Sequence, residues 1–252
     1  MVSKLITTMT SSTLQTPLRI AIIGGGFSGA MVATHLLRLA TGRLTMTLIE
    51  SRPHLGRGIA YSTDYECHLL NVPAGRMSAF PDDPKHFTRW LPHWDAYGVG
   101  YFAPRNLYGT YIQAVLETAI TQASARVRLE RICSEAVALL PEGSGATVHL
   151  RNGQTVPADR VVLALGNFPP SDPDVADRSF YQSQRYISHP WAPAVLDHLE
   201  PTAPVLLIGS GLTMVDLVLA LKAQDHQGII HVISRHGGCR KAIGAVRLIR
   251  SS

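Results

Sequence analysis

Leu18-Arg19-Ile20-Ala21-Ile22-Ile23-Gly24-Gly25-Gly26-Phe27-Ser28-Gly29 decides how this chain folds. Its first six residues read as a short strand of the fully buried kind found in parallel sheets. A G-x-G-x-x-G follows, and the apolar pattern beyond it predicts a helix over residues 29–40. In such a turn Gly24 permits the tight bend, Gly26 lets backbone N–H groups approach a pyrophosphate, and Gly29 allows the helix to pack closely on the strand. The helix N-terminus then faces the anion, with Gly25, Phe27 and Ser28 completing the contact set. A glycine-rich turn also occurs for purely conformational reasons, so its surroundings have to supply the specificity.

They do so at the next strand. Residues 44–49 alternate apolar with Thr and Met positions, and Glu50 stands at the end of the run, 21 residues after Gly29. A carboxylate there accepts hydrogen bonds from both hydroxyls of an adenosine ribose and repels a 2′-phosphate. The first turn therefore suits FAD or NAD rather than NADP. The alternative is an exposed strand-end glutamate.

A second copy follows further on. Residues 204–208 form an apolar strand leading into Gly209-Ser210-Gly211-Leu212-Thr213-Met214, a G-x-G-x-x-M, and a helix running to about residue 223. Asp216 in that helix reads as a surface residue or a partner of the helix dipole. Residues 229–233 form the next strand, which ends in Ser234-Arg235-His236. Glu50 lies 26 residues after Gly24, and Arg235 lies 26 residues after Gly209. By that count a guanidinium stands where the first unit has a carboxylate, so the second turn should prefer NADP(H). The alternative is an ordinary surface arginine.

Composition sets the bounds. Of 252 residues 46% are hydrophobic and 16% charged, below the roughly 25% charged of an average soluble domain. Low charge with high hydrophobicity excludes a disordered chain. The net charge of +5 comes from scattered cations rather than Lys/Arg runs, which argues against a nucleic-acid partner. Cys67, Cys133 and Cys239 are an odd, widely spaced set, so neither a disulfide framework nor a C-x-x-C site is expected. The apolar stretch 20–40 is split by the glycines and interrupted by His35 and Arg38, which makes neither a signal peptide nor a membrane span. A cytoplasmic chain without a membrane partner is expected, with residues 1–17 a disordered leader.

Further segments carry a family resemblance. They are Gly56-Arg57-Gly58-Ile59-Ala60-Tyr61, His68-Leu69-Leu70-Asn71-Val72-Pro73-Ala74-Gly75-Arg76-Met77-Ser78, Pro104-Arg105-Asn106-Leu107-Tyr108-Gly109-Thr110-Tyr111 and Val161-Val162-Leu163-Ala164-Leu165-Gly166-Asn167. With the first turn and Glu50 they make residues 18–236 similar to bacterial FAD/NAD(P)-binding proteins of the two-dinucleotide-binding flavoprotein class. More distantly, the chain resembles flavin-dependent N-hydroxylating monooxygenases. The resemblance implies that the loop at Arg57 and the segment at Asn71 lie along FAD, with Arg57 a cation near the pyrophosphate. It implies that Arg105, before a helix over residues 107–123, belongs to a segment over the flavin side; a helix-entry arginine paired with a carboxylate is the alternative. Residues 126–140, 147–150 and 155–156 read as strands, with Asn152-Gly153 as a hairpin turn. Similar flavoproteins place such a β-meander over the adenine, with backbone near Val137 on the ring edge. Residues 159–165 return as an apolar strand, and the resemblance implies that Gly166 closes the FAD site, although Leu165 stands where those proteins carry Thr.

The expected fold is α/β. A Rossmann-like FAD-binding domain with an inserted β-meander (18–166) is followed by a linker (167–203) and the start of a second Rossmann-like NAD(P)-binding unit (204–236). The linker's Ser188-His189-Pro190-Trp191 only loosely resembles the linker of flavin monooxygenases, and His189 reads as structural. No G-x-S-x-G, H-E-x-x-H or P-loop lysine is present, and no side chain stands out as a general base. The second unit is short, and residues 237–252 depart from the family's pattern, so a truncated chain with a non-native tail is expected. The function these features imply is an FAD-dependent oxidoreductase that takes hydride from NAD(P)H, monooxygenase-like, acting on a small molecule. An NAD(P)H:acceptor reductase without oxygen insertion and a non-catalytic FAD-binding remnant are the alternatives. A dehydrogenase or methyltransferase using only the first turn would leave Gly209 to Arg235 without a purpose.

Overall fold

The computed structural model describes residues 16–96, 98, 100–192, 195–235 and 247–248. The chain runs β1 (Leu18–Ile23), α1 (Phe27–Leu39), β2 (Leu44–Glu50), α2 (His86–Trp90), α3 (Arg105–Gln122) and β3 (Val127–Cys133). It continues with β4 (Ala136–Glu142), β5 (Gly145–Leu150), β6 (Thr155–Ala158), β7 (Arg160–Leu163), β8 (Val205–Ile208), α4 (Leu212–Ala223), β9 (Ile230–Ile233) and β10 (Arg247–Leu248). Residues 1–15 of the expected leader (1–17) and most of the expected tail (237–252) lie outside the described residues, as does Cys239.

Four parallel strands in the order β3-β2-β1-β7 form the first sheet. Alternation along β1 sends its residues to opposite faces. Ile22 packs with Ala30, Leu37, Tyr108, Ile112 and Leu116 of α1 and α3. Ala21 and Ile23 pack with Val148, Leu150, Val156 and Ala158 of β5 and β6. Helices thus cover one face and the antiparallel meander β4-β5-β6 covers the other, the two-sided burial that a parallel sheet requires. α1 buries Ala30, Ala33, Thr34 and Leu37, and α3 buries Tyr108, Tyr111, Ile112, Val115 and Ala119, each at the three-and-four spacing of one helical face.

The run read as one strand over 126–140 is two. β3 stays with β2 from Leu44↔Val127 to Glu50↔Cys133. Where β2 ends, Ser134 N–H donates to the Glu50 carbonyl at 3.0 Å, and the chain then leaves the sheet as β4. With no ladder partner left, the backbone turns to new ones. The hairpin at Asn152-Gly153 is present, with Gly153 at φ 84° and its N–H bonded to Leu150 O at 3.0 Å.

In the second unit β8 and β9 are parallel, with β10 beyond them in the order β10-β9-β8. α4 covers one face, where Met214, Val218 and Leu221 meet Ile230, Val232 and Leu207. Leu206 and Ile208 alternate with these residues and stand exposed on β8. This core is separate from those of the first unit. Among the described residues no helix is long and apolar enough to cross a membrane, and no group of three metal-ligating side chains occurs. Cys67 and Cys133 are free thiols.

Candidate functional site

At the end of β1 the chain turns at Gly24, whose φ is +101°. A Cβ there would lie 2.1 Å from Ala164 O in the segment after β7, so both backbone geometry and space demand glycine. Gly29 is as confined: its Cβ would meet Gly24 O at 1.8 Å, fixing α1 directly against the turn. α1 starts with Gly26 as its N-cap, no side chain caps it, and no acid lies in its first turn. Its free N–H groups and the positive end of its dipole are therefore left for an anion from outside.

Glu50 is buried, and its carboxylate is held from two sides. Gly25 N–H donates to Oε2 at 2.9 Å, Arg52 N–H donates to Oε1 at 3.0 Å, and Ser51 Oγ donates to Oε1 at 3.2 Å. Arg52 Nε lies 3.7 Å from Oε1. Each carboxylate oxygen can accept more than one hydrogen bond, so acceptor capacity remains toward the cleft that Glu50 lines.

That cleft has a volume of about 650 Å³. It brings together Gly24, Gly26, Phe27, Ser28, Glu50, Arg57 and Gly166, all named from the sequence. Gly25 and Gly29 stand behind the turn as its supports. Arg57 reaches back to α3, with Nε donating to Gln113 Oε1 at 3.0 Å and Nη2 to Thr110 Oγ1 at 3.4 Å. Both partners are neutral, so the cation is oriented without being neutralised by them. Ser134 and Ala136 line the cleft from the meander side, whereas Val137 lies just beyond, half exposed on β4. Tyr61 lines it too, its ring 5.9 Å from Phe27 and 4.8 Å from Tyr108. Sequence reasoning gave no role to Tyr61, quoted only within the segment from Gly56, or to Arg52, two residues beyond Glu50.

FAD passes the test of fit here. The cleft joins an uncapped helix N-terminus, a cation held by neutral partners and a pinned carboxylate with spare lone pairs. Gly26 and Gly58 approach so closely that a Cβ on Gly26 would lie 3.3 Å from Gly58 Cα. Bare backbone at that point is what close approach to a pyrophosphate requires.

Arg105 and Asn71 do not line this cleft but bind each other. Arg105 Nη2 donates to Asn71 Oδ1 at 2.9 Å, Nε donates to Leu69 O at 2.8 Å, and Nη1 pairs with Asp216 Oδ2 at 2.8 Å. The carboxylate-paired arginine is thus what the structure contains, and its carboxylate comes from the second unit. Asp216 is buried, not a helix-surface residue as its sequence context suggested. Burial pushes its carboxyl above the usual carboxylate range, and Arg105 and His68 draw it back.

The second turn repeats the first in backbone detail. Gly209 has φ +105°, and its N–H donates to Ile233 O at 2.8 Å, just as Gly24 N–H donates to Ile49 O at 2.8 Å. Gly211 is the N-cap of α4 at φ −80° and ψ −168°, matching Gly26 at −66° and −162°, again with no side-chain cap. Met214, at the third-glycine position, fills the local core. Leu212 and Thr213 begin the helix exposed, and Ser210 is half-buried. The two carbonyl contacts also correct the residue count: Ile49 is followed by Glu50, but Ile233 is followed by Ser234. The second unit is one residue shorter between turn and strand end, so Ser234 takes the place of Glu50. Arg235 is exposed one position beyond.

A protein-family description, FAD-NAD(P)-binding, matches residues 21–168. The chain is 28% identical over 193 residues to the 3-dehydro-bile acid delta(4,6)-reductase of Clostridium scindens, which covers 70% of this chain and 46% of that protein. Similar solved structures include Tmm from Pelagibacter sp. strain HTCC7211 (TM-score 0.64, 16% identity, 92% of this chain and 55% of that one). Another is the bacillithiol disulfide reductase Bdr of Staphylococcus aureus (TM-score 0.61, 13% identity, 93% and 66%). A third is the ornithine N-hydroxylase of Kutzneria sp. 744, solved with reduced FAD, NADP⁺ and L-ornithine (TM-score 0.58, 17% identity, 87% and 53%). At these identities the structures speak to fold: they share the mixed α/β architecture with its parallel sheet. The chain spans about half the length of the reductase it matches. The match over residues 21–168 includes the first turn, Glu50, the meander and Gly166, and by it this chain belongs to the FAD-NAD(P)-binding family.

Proposed function

We propose that the chain is an FAD-dependent oxidoreductase, or the dinucleotide-binding part of one, with FAD at the first turn and NADPH at the second. The observation that carries this reading is one backbone turn built twice with opposite chemistry at the strand end. Glu50, pinned by two backbone N–H groups, supports a ribose with free hydroxyls. Ser234 and Arg235 offer a hydroxyl donor and a guanidinium, which supports a 2′-phosphate. Bound FAD would supply the redox chemistry, accepting hydride from NADPH and passing electrons to a small-molecule acceptor. This chain's part is to hold the pyrophosphates at the two helix N-termini, orient the adenosine through Glu50 and keep the Arg57 cation at the cleft wall.

For the final acceptor, reduction without oxygen insertion is the reading we favour over monooxygenation. The curated relative named a reductase supports it, while the solved structures with this fold include both hydroxylases and reductases.

The test is spectroscopic. Purified protein given FAD should retain it, and NADPH added without oxygen should bleach the flavin faster than NADH does. Arg235→Ala should remove the preference by weakening NADPH alone, roughly 10-fold or more for the loss of one charged contact. A protein that retains no added FAD, or an Arg235→Ala variant with unchanged NADPH affinity, overturns the assignment. Admitting oxygen with candidate substrates then separates the two acceptor readings by whether oxygen appears in the product.

A further inference from the structure

The two units have separate apolar cores, so non-directional packing does not by itself set how the second turn stands relative to the first. Directional polar contacts do that, and they converge on Arg105. Its backbone N–H donates to His68 O at 2.8 Å. Its guanidinium spends one edge on Leu69 O and Asn71 Oδ1 and its remaining nitrogen on Asp216, four residues into α4 from Leu212. The side chains of Arg105 and Asp216 are only 11% and 8% exposed. Trp191 adds its ring 5.7 Å from the guanidinium carbon and 5.7 Å from the His68 ring.

His68 supplies a second tie. Its Nε2 lies 3.0 Å from the Asp216 carbonyl oxygen, and its Nδ1 lies 2.7 Å from Thr63 Oγ1. A carbonyl can only accept, so Nε2 carries the hydrogen, and in the neutral ring Nδ1 accepts from Thr63. Gln224, just after α4, donates to Tyr65 Oη at 2.6 Å. The segment 63–71 therefore holds α4 by side chain and backbone alike.

We propose that Arg105, with Asp216, is a positioning residue that fixes the nucleotide turn of the second unit to the 68–71 segment of the first and so sets the separation of the two cofactors. This rests on the assignment of FAD to the first turn and NADPH to the second. A buried ion pair is a poor source of net stability compared with an apolar pair of similar volume, but it is geometrically demanding. That difference provides the test.

Arg105→Met/Asp216→Leu replaces the pair by apolar side chains. The double variant should melt near the wild type, retain FAD and bind NADP⁺ with unchanged affinity, because it touches neither phosphate turn. Amide exchange across residues 205–223 should speed up, and reduction of the flavin by saturating NADPH should slow by roughly 10- to 100-fold, the scale expected when reacting atoms are displaced by about 1 Å. Wild-type exchange together with a wild-type reduction rate overturns the proposal. So does a rate loss that follows FAD loss or a lowered melting temperature, which would make the pair merely structural. Asp216→Asn, which keeps the size and one acceptor, is read by the same criteria if the double variant does not fold. If the wild type binds neither cofactor, the functional assignment fails. Exchange still decides the latch in that case: unchanged protection of residues 205–223 in the variant refutes it.

Discussion

Replacing Glu50 by Gln tests the first turn atom by atom. The carboxylate accepts from Gly25 N–H through one oxygen and from Arg52 N–H and Ser51 Oγ through the other. An amide has one acceptor oxygen and one donor nitrogen, so one of the two backbone N–H groups then faces another donor. Leaving a buried donor unsatisfied costs about 1–3 kcal/mol of folding free energy, and that cost appears with or without cofactor. On the proposed FAD assignment the ribose loses separately. Two hydroxyls that bonded to a charged acceptor meet a neutral oxygen and a donor, forfeiting about 2–4 kcal/mol at roughly 1–2 kcal/mol each. At 1.4 kcal/mol per decade this weakens FAD roughly 30- to 700-fold. FMN has no adenosine and provides the internal control. Titrating apoprotein with each flavin by fluorescence quenching should show FAD affinity falling by that factor while FMN affinity stays within a few-fold. Equal losses for FAD and FMN would refute the ribose contact and leave only damage to the turn.

Two other outcomes are accessible by unfolding measurements. Gly29→Ala drives a methyl into Gly24 O and should cost about 1–3 kcal/mol or more by overpacking; Gly42→Ala, with nothing within 4 Å, should stay within about 0.5 kcal/mol. Equal urea midpoints for the two would contradict the close helix–turn contact. Asp159, between β6 and β7, receives the Arg19 side chain and backbone N–H, which hold its carboxyl below the usual range. A lowered folded-state value adds stability above the unfolded carboxyl's value that fades as pH falls through the folded one. Asp159→Asn should therefore give a shallower acid limb below about pH 4, and parallel stability–pH curves for the two proteins would disprove it.

Both glycine turns, the strands that feed them and Glu50 were legible because each signal is local: an apolar run, a fixed glycine spacing, a charge at a strand end. The cleft-lining role of Gly166 and the loop at Arg57 came from resemblance. The break at Ser134 was hidden, since the end of β2 decides where β3 stops, and no local pattern in 126–140 records it. Counting residues set Arg235 opposite Glu50, whereas the carbonyl contacts of Gly24 and Gly209 set Ser234 there; a one-residue difference in chain length is invisible without the ladder. Asp216 looked like a surface residue because its partner, Arg105, lies far away in the sequence, and pairing across units leaves no periodic trace.

The separate cores of the two units have a practical meaning for how this protein fails. With no buried apolar cluster shared between them among the described residues, the smaller unit around α4 can melt once its polar ties to Arg105 and segment 63–71 give way, while the larger one stays folded. On the proposed assignment of FAD and NADPH, warming would then yield a species that keeps its yellow colour yet no longer answers to NADPH. Colour alone would be a poor gauge of whether a preparation is intact.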